Sequence, residues 1–460
     1  MRAKAVRGAI AGLVGLFSLT ASFYGLRATS EARAAGEALL KGAVGKGCLK
    51  MALFFGIQQE GGVGRYFLNG SEGLLTEAVR AGRGLAEWAS LLFAARILQG
   101  RIGAGKEALR ATVIFLPPDH ALRELQEAVE VGNLEGIQMA GHRLPLDEWE
   151  RLLIVGAATM ACDGQEWRRV AWINIKQASQ LVAGEVWGLL GLALAGLLFL
   201  LFGIGAYIHP AMRRRLGGVR ERRICGPFEG LELLGWWLGF VLLFQNLAVN
   251  LGVLLAYRYG AGGAFPGLAA LMLLLGQIMV ALAVAGVIHL QAVIKRGTSV
   301  REAFEEAGLG PPVGLKTGLL AYSLILPAYA ASVGLTYLLL RGEAVSWNPL
   351  IQLVIMAEEA GEIIPLAIFL CVAIPFVEEL VFRGWLFGGL RARFSFWLAA
   401  VASAAIFSFI HFDFPLTLPL FAIGLALAFT YEATGSLWGN IIAHGMHNAV
   451  TIAALRLLAG

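Results

Sequence analysis

The sequence predicts an all-α, polytopic membrane protein with about eight to nine spans and an extracytoplasmic helical domain. Of its 460 residues, 58% are hydrophobic and 15% are charged, whereas roughly 25% of the residues in an average soluble domain are charged. A soluble protein of this size cannot bury so much apolar surface, and a disordered chain would not be so apolar. The composition therefore argues against a soluble enzyme and against a disordered protein.

Nine apolar runs are candidates for the spans. Most of them have about the 20 residues that a helix needs to cross the hydrocarbon layer, and the seventh and eighth are shorter. The first run is either a signal anchor or a cleaved signal peptide, because Ala32-Arg33-Ala34 offers a small-x-small cleavage site. The runs cover residues 8–26, 186–207, 233–257, 267–293, 317–340, 363–389, 396–411, 415–431 and 437–458.

Basic residues between the runs predict the orientation of the chain. They cluster at 2–7, 213–223, 295–296 and 391–393. Alternate crossings place these clusters on one side of the membrane, and an excess of Lys and Arg marks the cytoplasmic side. The clusters are short and are flanked by membrane-length segments, so we expect no nucleic-acid partner.

Residues 27–185 form the predicted extracytoplasmic domain. This stretch holds 18 of the 37 Lys and Arg residues and 18 of the 32 Asp and Glu residues, so it is neutral and normally charged. Its apolar residues recur with helical spacing between Gly-rich and Pro-containing breaks. Cys48 and Cys162 both fall in this domain, where either a disulfide or two separate thiols would suit an oxidising compartment.

Three ionisable residues lie deep in the sixth apolar run. Arg383 follows Glu379 at a spacing of four, so the two share a helix face and can pair. The adjacent Glu378 points about a quarter turn away and stays available for chemistry. Ionisable groups within a span are costly and usually functional, and helix packing alone does not readily explain a second, unpaired glutamate at this depth.

The last runs add imidazoles and amides. His411 ends the seventh run, and the last run carries Asn440, His444, His447 and Asn448, of which His444 and Asn448 share a face. A carboxylate and an imidazole can hold and deprotonate a water, while an imidazole and an amide can donate to a developing oxyanion. These residue types allow amide hydrolysis, a zinc site or a proton or ion pathway.

Three motifs, in order, resemble the signature of the CAAX-protease and bacteriocin-processing (CPBP or Abi) family of intramembrane endopeptidases, which includes the type II CAAX prenyl endopeptidases. Each motif is weak alone, and the combination within membrane helices is specific. The resemblance covers residues 230–460. The motifs are Pro375-x-x-Glu378-Glu379-x-x-x-Arg383-Gly384, Phe407-x-x-x-His411 and His444-x-x-x-Asn448.

The resemblance implies an endopeptidase that hydrolyses peptide bonds through a water activated by glutamate and histidine. Glu378 would be the catalytic glutamate that activates the water, and His411 would assist it. Glu379 and Arg383 would orient and support Glu378.

The resemblance also implies an oxyanion hole formed by His444 and Asn448. His447 lies outside the motif and would act on the site only indirectly. We expect no cofactor and no obligatory metal, with bound zinc as the alternative.

The resemblance implies a peptide or protein substrate at the lipid bilayer and leaves its identity open. Residues 1–26 are then a signal anchor or signal peptide, 27–185 the outer domain, 186–229 a span and a basic cytoplasmic loop, and 230–460 the protease domain. The outer domain indicates a prokaryotic inner or plasma membrane and an extracytoplasmic protein partner. The alternative function is a catalytically silent membrane scaffold or bacteriocin-immunity protein that retains the fold.

Overall fold

The described part of the chain is helical and contains no strand, which confirms the predicted all-α class. Predicted spans 8–26, 233–257 and 267–293 lie outside the described residues. The computed structural model describes residues 30–56, 63–81, 86–162 except 115 and 118, 165–208, 297, 299–310, 315–340, 348–357 and 360–459 except 412.

The chain divides into two units. The first comprises Glu31–Ala193 with Ala454–Gly460, and the second comprises the described residues of Leu194–Ala453. The helices that lie in the first unit, or begin there, are α1 Ser30–Phe55, α2 Val63–Ala81, α3 Ala86–Leu98, α4 Ile102–Val113, α5 Ala121–Val131, α6 Leu134–Arg143, α7 Glu148–Met160 and α8 Gln165–Ile208.

The core of the first unit is built around α3. This helix is apolar on nearly all sides and is buried on all sides, with Trp88, Leu91 and Phe93 at most 3% exposed, as expected of a helix without a polar face. Cys48 and Cys162 are not joined by a disulfide, which agrees with the second of the two alternatives for them. The extracytoplasmic location of 27–185 and the four predicted domain boundaries stay predictions.

Two lysines of α1 are buried in the first unit. Lys46 Nζ lies 2.8 Å from Glu150 and 3.5 Å from Glu87, and Lys50 Nζ lies 2.5 Å from Glu185. Burial raises the pKa of the Glu87 carboxyl to about 7 because the charged form loses its hydration. The unit therefore contains an ion-pair network in which one carboxyl group has an unusual pKa.

The second unit holds the apolar helices. α8 runs into it, and the helices that follow α8 are α9 Val300–Phe304, which continues as a π-helical turn over Glu305–Leu309, α10 Leu315–Leu339, α11 Pro349–Met356, α12 Ala360–Arg391, α13 Phe396–Phe409, α14 Phe414–Thr434 and α15 Leu437–Ala459.

Five of the described helices, α8, α10, α12, α14 and α15, are long and apolar enough to cross a membrane. The chain is therefore an integral membrane protein. α13 has 14 residues and is shorter than the roughly 20 residues that a perpendicular crossing needs. The total of eight to nine spans stays a prediction, because three of the predicted runs lie outside the described residues.

Close contacts fix the spacing between helices of the second unit. Gly445 of α15 lies against α12, where a Cβ would overlap the carbonyl oxygen of Cys371. The hydroxyl of Tyr431 in α14 donates over 2.9 Å to the carbonyl of Ala307, which lies in the π-helical turn after α9. The first contact joins the two helices that carry most of the polar residues, and the second joins α14 to the turn.

Candidate active site

The glutamates lie on a stretch of α12 that is bracketed by two π-helical segments, Phe369–Ala373 and Leu380–Phe387. In the first segment the N–H of Ile374 donates to the carbonyl of Phe369, five residues back. Pro375 has no N–H to continue this pattern, so the carbonyl of Leu370 has no donor from that position. Such π-helical turns often occur at functional sites.

Asn448 supplies the donor that the proline removes. Its side-chain amide lies 2.7 Å from the carbonyl oxygen of Leu370. This bond ties α15 to the deformed part of α12. Asn448 thus lies beside the glutamate helix, with one N–H of its amide engaged and a second still available.

The pair predicted from the spacing of four is present. Arg383 Nη1 donates to Oε1 of Glu379 over 2.8 Å, and the two side chains are 1% and 0% exposed. A buried ion pair is stable only where further hydrogen bonds satisfy its remaining polar atoms, and Glu379 has such bonds.

Two residues of α15 donate to Glu379 as well. His444 Nδ1 lies 3.0 Å from Oε1, and Asn440 Nδ2 lies 3.2 Å from Oε2. A carboxylate only accepts hydrogen bonds, so His444 donates its Nδ1 proton. Arg383, His444 and Asn440 therefore all donate to Glu379, and both of its oxygens are engaged.

Glu378 has a different environment. It is 6% exposed, and among the described residues no group donates a hydrogen bond to it. Its Oε2 lies 3.8 Å from Nε2 of His444, just beyond hydrogen-bonding distance. The ring of His444 thus bridges the two glutamates, with one nitrogen bonded to Glu379 and the other facing Glu378.

Phe407 of α13 connects the remaining groups. Its ring centroid lies 4.5 Å from the guanidinium carbon of Arg383, 5.1 Å from the ring of His411 and 6.1 Å from the ring of His444. A guanidinium over an aromatic face gains a cation–π attraction. Phe407 therefore fixes one side of the Glu379–Arg383 pair and separates the two histidines.

His411 makes no hydrogen bond to either glutamate within the described part of the chain. Its Nδ1 lies 2.8 Å from the carbonyl oxygen of Phe407. Since a carbonyl oxygen only accepts, Nδ1 carries the proton, and Nε2 of the neutral ring keeps its lone pair. His411 is thus placed in the tautomer that a proton acceptor needs at Nε2.

His447 interacts electrostatically with His444, but its side chain takes no part in the hydrogen bonds of this cluster described above. Its ring packs edge-on against Tyr329 of α10, with 4.7 Å between the ring centroids. The structure gives it no hydrogen bond to a glutamate among the described residues. The indirect role expected of His447 stays a prediction.

Asn440 is the site residue that the sequence reasoning missed. The sequence shows it as a polar residue of the last apolar run, and the three motifs assign no catalytic role to it. The signal was its spacing, because 440, 444 and 448 are each four residues apart and so share a helix face.

Zinc was the alternative to a metal-free site. Across the residues that the structure describes, no three His, Cys, Asp or Glu side chains are grouped so that they could hold a metal ion. Glu378 and the Nε2 side of His444 would offer two ligands, whereas a structural zinc site has four and a catalytic one has three from the protein. Independence from metal stays a prediction.

Helices α12 to α15, with the six predicted site residues, coincide with a family match. Residues 360–450 match the family model described as "Type II CAAX prenyl endopeptidase Rce1-like". The resemblance predicted from the three motifs is confirmed over these residues. The match covers less than half of the chain and does not include the first unit.

One curated relative is the Bacillus subtilis (strain 168) protein named "Putative membrane peptidase YdiL". It is 36% identical to this chain over 78 residues, which are 17% of this chain and 32% of the relative. The match thus spans about a third of the relative's length. No solved structure matches the chain.

Proposed function

We propose that the protein is an intramembrane endopeptidase of the CAAX-protease-like type, and that Glu378 is its general base. The observation that carries this proposal is the unequal environment of the two glutamates. Glu379 accepts hydrogen bonds from three donors, whereas Glu378 accepts no hydrogen bond from a described residue. Two carboxylates with different surroundings can take different roles, one as a fixed support and one as a proton acceptor.

In the proposed reaction, Glu378 takes a proton from a water while the water oxygen attacks the carbonyl carbon of the substrate peptide. Nε2 of His411 accepts a hydrogen bond from the same water and orients it. The negative charge develops on the former carbonyl oxygen. Glu378 then gives its proton to the leaving amine as the carbon–nitrogen bond breaks, so that a carboxylic acid and an amine form. The acid then passes its proton to the amine, and the products leave as a carboxylate and an ammonium group.

The oxyanion would be held by His444 and Asn448. In this proposal His444 is an imidazolium from the start and keeps both protons throughout the reaction, with Nδ1–H bonded to Glu379 and Nε2–H directed to the oxyanion. Asn448 contributes the N–H that is not used on Leu370. Donors fixed before the reaction stabilise the charge without a cost of reorientation, and the bonds to Glu379 and Leu370 fix these two.

The test compares wild-type protein with Glu378→Gln in liposomes that contain the membrane proteome of the host, and new peptide termini are read by mass spectrometry. Glu432→Gln is the matched control. Glu432 is a glutamate of α14 whose side chain is 10% exposed, and it pairs with Arg391 at 3.0 Å and not with a predicted site residue. We expect termini produced by wild type and Glu432→Gln that are absent with Glu378→Gln. Identical patterns for all three would refute the protease and leave the non-catalytic scaffold.

The substrate is proposed as a membrane-associated peptide or protein. Two probes separate the alternatives: a quenched fluorescent peptide that ends in a farnesylated Cys-aliphatic-aliphatic-X sequence, and the same peptide without the farnesyl group. Cleavage of the first alone supports a prenylated substrate, and equal cleavage of both excludes prenyl recognition. Activity that a chelator removes and zinc restores would overturn the metal-free mechanism.

We also propose that residues 27–185 lie outside a prokaryotic plasma membrane and contact a protein partner there. The neutral charge of this stretch and the basic loops of the rest of the chain support this orientation. An impermeant maleimide applied to intact cells should label Met139→Cys, an exposed position of α6, and should not label Arg301→Cys, an exposed position of α9. The reverse labelling would invert the topology.

A further inference from the structure

Asn440 is completely buried and connects three helices. Its Nδ2 donates to Oε2 of Glu379 in α12 over 3.2 Å and to the carbonyl oxygen of Leu427 in α14 over 2.8 Å. Both acceptors lack protons, so the amide orientation follows from chemistry: the flipped amide would place its oxygen against a carboxylate and a carbonyl. Among the described residues, Asn440 is thus the one that donates a hydrogen bond to Oε2 of Glu379.

The cost of this arrangement indicates a role beyond packing. Oδ1 of Asn440 is buried and has no hydrogen-bond partner among the described residues, and a buried polar atom without a partner destabilises a fold. An apolar side chain would avoid that cost. The contact with Glu379 therefore explains the asparagine better than helix packing does.

We propose that Asn440 is a positioning residue, which holds Oε2 of Glu379 so that Oε1 is shared by Arg383 and His444 and the Nε2 atom of His444 faces Glu378. This inference rests on the proposed function. Without the bond from Asn440, the carboxylate of Glu379 can rotate about its last torsion, which is soft. Nδ1 of His444 then loses its fixed acceptor, and the ring no longer presents Nε2 to the reacting atoms.

A positioning role predicts a defined kinetic change. Asn440 is 0% exposed and touches no substrate, so KM should stay within about 2-fold in Asn440→Ala while kcat falls by at least about 10-fold, as for an interaction made only in the transition state. Asn440→Asp keeps the shape and volume but removes both N–H donors and places a carboxylate opposite Glu379. It should lose at least as much kcat.

Ser403→Ala is the matched control. Ser403 is 2% exposed, and its hydroxyl donates to the carbonyl of Phe382 over 3.1 Å, so the variant also loses one buried bond between α12 and another helix. It has no contact with Glu379. We expect Ser403→Ala to lose thermal stability comparably to Asn440→Ala and to keep the kcat of wild type.

All variants are purified in detergent, selected as folded monodisperse protein by size exclusion, and assayed on a quenched peptide carrying the sequence cleaved by wild type in the proteome experiment. Glu378→Gln is assayed in parallel. Activity retained by Glu378→Gln refutes the proposed function itself. An inactive Glu378→Gln beside an Asn440→Ala protein with wild-type kcat refutes only the positioning role, as would a rise in KM without loss of kcat. If neither Asn440 variant folds while Ser403→Ala does, Asn440 is a structural residue and the inference is wrong.

Discussion

Removal of the Arg383 guanidinium should destabilise the protein far more than removal of the whole ion pair. Both side chains are at most 1% exposed and their charged atoms lie 2.8 Å apart. Breaking a buried pair by deleting one partner costs about 3–5 kcal/mol, because an uncompensated charge is left behind. Glu379 keeps the donors of His444 and Asn440, so we expect Arg383→Met to lose about 3 kcal/mol, the lower end of that range.

The double variant Glu379→Gln/Arg383→Met separates the charge effect from packing. It contains no buried charge at these two positions, and its glutamine retains an acceptor oxygen for His444. Its free energy of unfolding should lie within about 1 kcal/mol of the wild-type value, although its peptidase activity should stay lost because the support for the site is gone.

The assay is reversible unfolding by SDS titration in mixed micelles, followed by tryptophan fluorescence, with peptide cleavage measured on the same samples. Arg301→Met is the control, since Arg301 pairs with Glu305 in an exposed position and its loss should cost at most about 1 kcal/mol. If the double variant is as unstable as Arg383→Met alone, the instability comes from lost packing and not from the unpaired carboxylate of Glu379, and the prediction is wrong.

Three further substitutions test other contacts. Gly445→Ala should lose stability and activity, because the added methyl group would overlap the carbonyl of Cys371. Gly334→Ala in α10 is the control, since its methyl group meets nothing within 4 Å, and it should unfold at the wild-type temperature. Equal unfolding temperatures of the two variants would be inconsistent with a close helix contact at Gly445. Phe407→Leu should reduce kcat by about 10-fold, through the lost cation–π attraction on Arg383, and an unchanged kcat would show that the ring is dispensable. In the first unit, the pKa of Glu87 is raised from 4.5 to about 7 in the folded state, so the contribution of Glu87 to stability falls as the pH rises between these two values. Glu87→Gln should remove that decline in thermal unfolding scans. An unchanged pH dependence in the variant would refute the role of Glu87.

The ion pair of α12 could be predicted from the sequence because it is local. A spacing of four places two side chains on one helix face whatever the rest of the protein does, and Arg383 and Glu379 are indeed bonded. The apolar runs were predictable for the same reason, since length and composition alone define a candidate span. The helices α10, α12, α14 and α15 overlap the runs predicted for them.

The contacts between helices could not be predicted in this way. The bond from Asn448 to Leu370 depends on the register between α15 and α12. It also depends on the missing N–H of Pro375, whose effect on Leu370 can be read from the sequence only if the π-helical turn is already known. The hydrogen bond from Asn440 to Glu379 depends on the same register, because the amide reaches the carboxylate only in this alignment of α15 along α12. Both contacts are non-local. Periodicity places Asn440, His444 and Asn448 on one helix face, but it does not indicate which helix that face meets.

The two adjacent glutamates show how a single register creates two chemical roles. Successive residues of a helix are rotated by about 100°, so when one of them points into the interface with α15, its neighbour cannot. The interface with α15 supplies His444 and Asn440, and Arg383 comes from the same face of α12, so all three donors converge on Glu379. Glu378 lies 3.8 Å from the far nitrogen of His444 and accepts no hydrogen bond from a described residue. Exchanging the roles would require α12 to turn by that angle, which would break the bond from Asn448 to Leu370 and the contact of Gly445 with Cys371. The proposed assignment of the base to Glu378 thus depends on how closely α15 is held against α12, and the proline, the glycine and the two asparagines at this interface hold the two helices together.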